Sequence, residues 1–202
     1  MSKTMSRLIV LMEIAVIAAF AMALEYVPHK TGISSVEMSY GLIPITVLAL
    51  RRGLGAGMAA GLTWGVLDVF LIGFSEGSVL NPLQGFLEYP IAFAVAGLGG
   101  LLYPQFQKAL HENKPKTILA TAWLAVLIGT AAKYFCHFLA GWVFWGSYAP
   151  KGMPAWLYSL AINGGSAIAT GLVTLIVVTV LLRTVRKALF QPKTATQFQP
   201  QH

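Results

Sequence analysis

The chain has 202 residues, 56% of them apolar and only 10% charged, and its mean hydropathy is +0.70. A soluble domain carries about 25% charged residues and could not hide this much apolar surface from water, so a soluble globular fold is excluded. The net charge of +7 is assigned to membrane topology rather than to nucleic acid, because Lys and Arg gather in the cytoplasmic loops of multi-pass proteins.

Runs of about 17–25 apolar residues are read as membrane spans. The first is Leu8 to Leu24, interrupted by Glu13; Pro28-His29-Lys30-Thr31-Gly32 breaks it. No A-x-A site and polar segment follow, so it is read as a retained span rather than a cleaved signal. The second, Leu42 to Leu50, is short and stops at Arg51-Arg52; tilting, or extension upstream through Met38 and Tyr40, would lengthen it. The third runs from Leu54 to Ile72 and carries Asp68, and a polar loop, Gly73 to Pro82, follows. The fourth runs from Leu83 to Tyr103, before a charged loop from Pro104 to Lys116. The fifth, Thr117 to Leu139, leads into an aromatic loop, Gly141 to Trp156. The sixth runs from Leu157 to Leu182 and ends at Arg183, Arg186 and Lys187. The expectation is an all-α integral membrane protein in the cell membrane. Six transmembrane helices make one domain, residues 1–190, and residues 191–202 form a polar, disordered tail.

An even number of spans puts both termini on one side. With the N-terminus inside, 11 of the 14 Lys and Arg residues are cytoplasmic, Lys30 and Lys151 are outside, and Lys133 lies within a span. The opposite orientation reverses the bias, so the reading is N-in/C-in. No G-x-x-x-x-G-K-[ST], no G-x-S-x-G and no Cys/His cluster with metal-ligand spacing occurs, so no ATPase, serine hydrolase or metal centre is expected. The single cysteine, Cys136, excludes an internal disulfide and is read as a buried small residue.

Ionisable residues at membrane depth are costly and mark function by default. Here they are Glu13, Asp68, Glu88, Lys133 and His137. Glu13 sits near the inner end and is expected to snorkel or pair with Arg7. Asp68 is either a rim residue or a second pocket acid. Lys133, His137 and Gly141 recur at i, i+4 and i+8 and share a helix face. With Glu88, Tyr158 and Asn163 they map to one depth layer in the outer half of the membrane. Trp142, Phe144, Trp145, Tyr148 and Trp156 lie over that layer. Polar groups under an aromatic lid suit a small-molecule pocket; the aromatics also suit an interfacial belt, and Glu88 with Lys133 a structural ion pair. Two small-residue stripes are present, Ala15, Ala19 and Ala23 on the first span and Gly53, Gly57, Gly61 and Gly65 on the third. This spacing lets helix backbones approach closely, and for the glycines internal packing is the expected use.

Leu87-Glu88-Tyr89-Pro90, the run Lys133 to Gly141, Trp145, and Tyr158-x4-Asn163-Gly164 resemble the thiamine-specific substrate-binding S component of energy-coupling factor (ECF) transporters. The resemblance covers nearly the whole chain. It implies a tight thiamine site near the outer face, and a complex with a membrane coupling subunit and two cytoplasmic ATPases. It also implies docking of that subunit on Ala15, Ala19 and Ala23. The family's first external loop tends to give the ligand an aromatic side chain; here, from Ile33 to Tyr40, Tyr40 is the single aromatic. Thiamine's thiazolium cation suits Tyr89 and Trp145. Its aminopyrimidine suits Glu88 and Asn163, and its hydroxyl Tyr158 or His137. Lys133 beside Glu88 would keep that carboxylate ionised. The expected ligand set is therefore Glu88, Tyr89, Lys133, His137, Gly141, Trp145, Tyr158 and Asn163, with no cofactor, metal, catalysis or nucleic acid. Alternatives are an S component for another vitamin and a small enzyme acting on membrane lipid, the latter without a recognisable nucleophile and base.

Overall fold

The structure, a computed structural model, describes residues 3–28 and 36–191. The expected tail from 192 onward, and Ile33, Ser34 and Ser35 of the first external loop, lie outside the described residues. The architecture is an all-α bundle. α1 is Lys3–Leu24, α2 is Leu42–Arg52 and α3 is Leu54–Gly73. α4 is Pro82–His111, α5 is Pro115–Val143, α6 is Ala155–Thr184 and α7 is the short Arg186–Phe190. Five of these, α1 and α3 to α6, are long and apolar enough to cross a membrane.

Local chemistry sets the boundaries. Asn81 caps α4 by accepting from Gln84 N at 3.0 Å, with Pro82 at the first position, where no amide donor is needed. Asn113 takes a left-handed conformation, φ 50°, between α4 and α5, as Asn tolerates. Gly53, at φ 89°, is the single-residue joint between α2 and α3. Within α4, Pro90 removes a backbone donor, and Leu87–Ile91 widens into a π turn. Glu88 and Tyr89 sit on that turn.

The second expected span takes another form. α2 has 11 residues, about 16 Å of helix, against the ~30 Å of a bilayer's hydrocarbon core. Eight of its residues are buried, so it lies inside the bundle. The chain enters it through non-helical backbone at 36–39, pinned to α6: Glu37 N donates to Ser166 Oγ at 3.1 Å and Ser39 N to Thr170 Oγ1 at 3.0 Å. Irregular backbone at membrane depth is tolerated where protein satisfies its polar groups.

The glycine stripe is internal packing. Gly57, Gly61 and Gly65 lay α3 directly on α4. A Cβ on Gly61 would collide with the Phe93 carbonyl, and one on Gly65 would lie 2.5 Å from Tyr89 O. The alanine stripe is different: Ala15, Ala19 and Ala23 are exposed, while Ala18, Ala21 and Met22 bury a neighbouring face of α1.

The core has two halves. One surrounds Trp64 and Phe93, whose rings meet edge-on at 4.4 Å. The other gathers Phe106, Val126, Val178 and Phe190 at the basic end. There Glu13 pairs with Arg51 at 3.2 Å and Arg52 at 2.5 Å, not with Arg7. Arg51 also donates to the carbonyls of Ala188, Leu189 and Gln191. Two guanidiniums from α2 reach Glu13 because α2 ends level with it, which sequence distance conceals.

Candidate ligand-binding site

A cavity of about 460 Å³ opens at the end opposite Arg51 and Arg52, within the size range of small-molecule pockets. Glu88, Tyr89, Lys133, His137, Gly141, Trp145, Tyr158 and Asn163 all line it. α4 supplies the first two, α5 the next three, the following loop Trp145, and α6 the last two.

Glu88 is the hub of one wall. Trp145 Nε1 donates to its two carboxylate oxygens at 3.1 and 3.3 Å, and Gln84 Nε2 donates to Oε2. Gln84 is fully buried and also donates to Ser78 O at 3.0 Å, so the carboxylate is aimed by a fixed partner. The expected placement of Lys133 against Glu88 is corrected: Glu88 is met by Gln84 and Trp145, and Lys133 turns elsewhere. Lys133 Nζ lies 3.1 Å from His137 Nε2 and 4.4, 4.9 and 5.7 Å from the ring centroids of Phe93, Tyr134 and Trp64. This is an ammonium in an aromatic box, stabilised by the ring faces. An ammonium accepts no hydrogen bond, so with Lys133 charged His137 must accept at Nε2 and carry its proton on Nδ1.

On the α5–α6 wall, a Cβ on Gly141 would run into Ser159 Oγ, so the glycine lets the two helices close. Ser159 Oγ donates to Phe138 O at 2.7 Å. Asn163 Nδ2 donates to Ser159 O and Oγ at 3.1 and 3.2 Å, which turns its carbonyl oxygen away from that contact. Tyr89 stacks on Phe93 at 6.1 Å.

The aromatic lid divides. Trp145 and Tyr148, with rings 5.5 Å apart, line the cavity. Trp142, Phe144 and Trp156 do not, and exposed Trp142 packs on Phe138, the placement of an interfacial belt. Asp68 is buried in α3 outside the lining. Tyr40 is also outside it, donating to Pro28 O at 3.5 Å.

Sequence reasoning missed Glu25, Glu37, Ser39 and Phe93. Glu25 and Glu37 stand in the connection between α1 and α2, and Glu25 accepts from Ser39 Oγ at 3.3 Å. One signal was available on α6. Ser159, Asn163 and Ser166 fall at i, i+4 and i+7, a polar face on an otherwise apolar helix.

Residues 11–190 match the family model described as thiamine transporter protein. The thiamine transporter ThiT of Lacticaseibacillus paracasei is 55% identical over 95% of each chain. That of Bacillus subtilis is 31% identical over 93% of this chain and 97% of its own. The solved structure of ThiT from Listeria monocytogenes superposes with a TM-score of 0.85 at 42% identity, covering 93% of this chain and all of that one. Both curated relatives are named as transporters, and this chain has five helices long and apolar enough to cross a membrane. The chain belongs to the thiamine transporter protein family.

Proposed function

We propose that this chain binds thiamine in the cavity between α4, α5 and α6, and that it is the S component of an ECF importer. In that role it depends on a membrane coupling subunit and two cytoplasmic ATPases for energy. The observation that carries the binding reading is the Glu88–Trp145 pair: a half-buried, oriented carboxylate joined to an indole beside Tyr89. A cation with a hydrogen-bonding aromatic ring needs those groups together. The aminopyrimidine meets Glu88 and the Asn163 carbonyl, and the thiazolium faces Trp145 or Tyr89. The described lining holds three carboxylates, Glu25, Glu37 and Glu88, against one ammonium, Lys133, a balance that suits a cationic ligand. Relatives named as thiamine transporters support the same ligand. Addition of thiamine to the purified protein is expected to quench Trp fluorescence through contact with Trp145. A protein that gives neither quenching nor heat of binding with thiamine contradicts the assignment.

The proposed topology is six crossings, N-in/C-in, with the cavity outward. Non-helical backbone at 36–39, at up to about 3.3 Å per residue, adds to α2 the length that a second crossing requires. The charge bias supports the orientation. In a Cys136→Ala background, Cys at Lys108 or Lys114 is expected to resist impermeant thiol reagents in intact cells. Cys at Ser75 or Lys151 is expected to react. The reverse pattern inverts the topology.

A further inference from the structure

We propose that the basic end of the α5–α6 pair holds the phosphate headgroup of an anionic membrane lipid. A second cavity, of about 790 Å³, opens between the start of α5 and the end of α6. It is about 25 Å along α5 from the first, by helical rise from Lys116 to Lys133. Lys116, Arg183, Arg186 and Lys187 line it together with apolar Leu119 and Leu182. Among the described residues no carboxylate lines it, and no Asp or Glu follows Glu112 in the sequence. Glu112 itself is taken by Lys114 at 2.7 Å and Lys108 at 4.0 Å. Among the described residues, Lys116, Arg183 and Lys187 form no ion pair. Arg186 is oriented by donating to Asn113 Oδ1 at 3.0 Å.

Topology alone asks only that cations lie on one side; it does not ask for a formed cavity with four of them around it. The α5 N-terminus has no side-chain cap, so its amide dipoles add to the positive field. The apolar part of the lining favours a lipid over a soluble anion. Thr179, in the lining, accepts from Trp123 Nε1 at 2.9 Å. One residue and one turn away on α6, Val180 and Ile176 are exposed on the apolar surface. A headgroup among the cations would thus have its acyl chains along α6. Basic pockets between helices at a membrane boundary are suited to such headgroups.

The test incubates the full-length protein with equal amounts of phosphatidylglycerol and phosphatidylcholine in mixed micelles and weighs the retained lipid by native mass spectrometry. Phosphatidylglycerol is expected to be retained preferentially. Its retention should fall about fivefold in each of Arg183→Gln and Lys187→Gln, and stay near the parent level in Arg183→Lys. Lys108→Gln, outside the cavity, should leave it unchanged. Thiamine binding by the same preparations reports that each variant is folded. Equal retention of both lipids overturns the proposal, as does an equal loss in Lys108→Gln. Displacement of phosphatidylglycerol by millimolar inorganic phosphate also overturns it, reassigning the cavity to a soluble anion.

Discussion

Replacing Glu88 with Gln is expected to weaken thiamine binding by about 1.5–3 kcal/mol, the range of a charge-assisted hydrogen bond, or roughly 10- to 150-fold in Kd. The geometry explains why the isosteric change is so costly. Trp145 Nε1 and Gln84 Nε2 both donate to the Glu88 carboxylate. A carboxylate accepts from both and keeps lone pairs for the ligand. A Gln side chain at position 88 would present an NH2 to at least one of these donors, so the residue would rotate and the Trp145 tether would slacken. One of the negative charges that would favour a cationic ligand in the cavity would also be lost. Isothermal titration of the purified variant checks this. An affinity within a factor of two of the parent would remove Glu88 from the site and leave its hydrogen bonds a structural role.

The second large effect separates binding from transport. Ala15→Trp and Ala19→Trp are expected to lower thiamine uptake into cells by at least about tenfold, the equivalent of ~1.4 kcal/mol of helix–helix association. Affinity of the isolated protein should stay unchanged. Both alanines are exposed, neither lines the cavity, and the buried face of α1 is formed by Ala18, Ala21 and Met22. A bulky ring there has room in lipid but none against an approaching partner helix, whose close packing depends on small residues. Co-purification with the coupling subunit is the direct readout. Normal uptake by both variants would sink the docking role of the stripe. Lost thiamine binding would instead mean that α1 is internally packed through this face.

Much of the candidate site's lining was legible because helical periodicity survives without tertiary information. Lys133, His137 and Gly141 fall on one face of α5 by spacing alone, and span direction put Glu88, Tyr158 and Asn163 at the same depth. The connection between α1 and α2 was not legible. Glu25, Glu37 and Ser39 reach the cavity through backbone that is neither a span nor a simple surface loop. Hydropathy registers such a segment only as a gap. Phe93 was hidden for another reason: on an apolar span it is indistinguishable from a lipid-facing or core residue until helix rotation is known.

The amino-acid sequence by itself determined that the chain lives in a membrane, roughly where its long helices lie, and which polar side chains share a level, although α4 runs on to His111 through part of the expected loop from Pro104 to Lys116. Lipid offers the backbone no hydrogen bonds, so apolar runs become helices whatever they pack against. Only the tertiary structure decided who meets whom across the bundle. Glu13 found Arg51 and Arg52, Glu88 found Gln84 and Trp145 while Lys133 entered an aromatic box, and α2 became a short buried helix. Those pairings depend on the rotation and axial offset of each helix. Van der Waals fit sets both, at contacts such as Gly61 against the Phe93 carbonyl, and such fit has no signature in hydropathy or spacing.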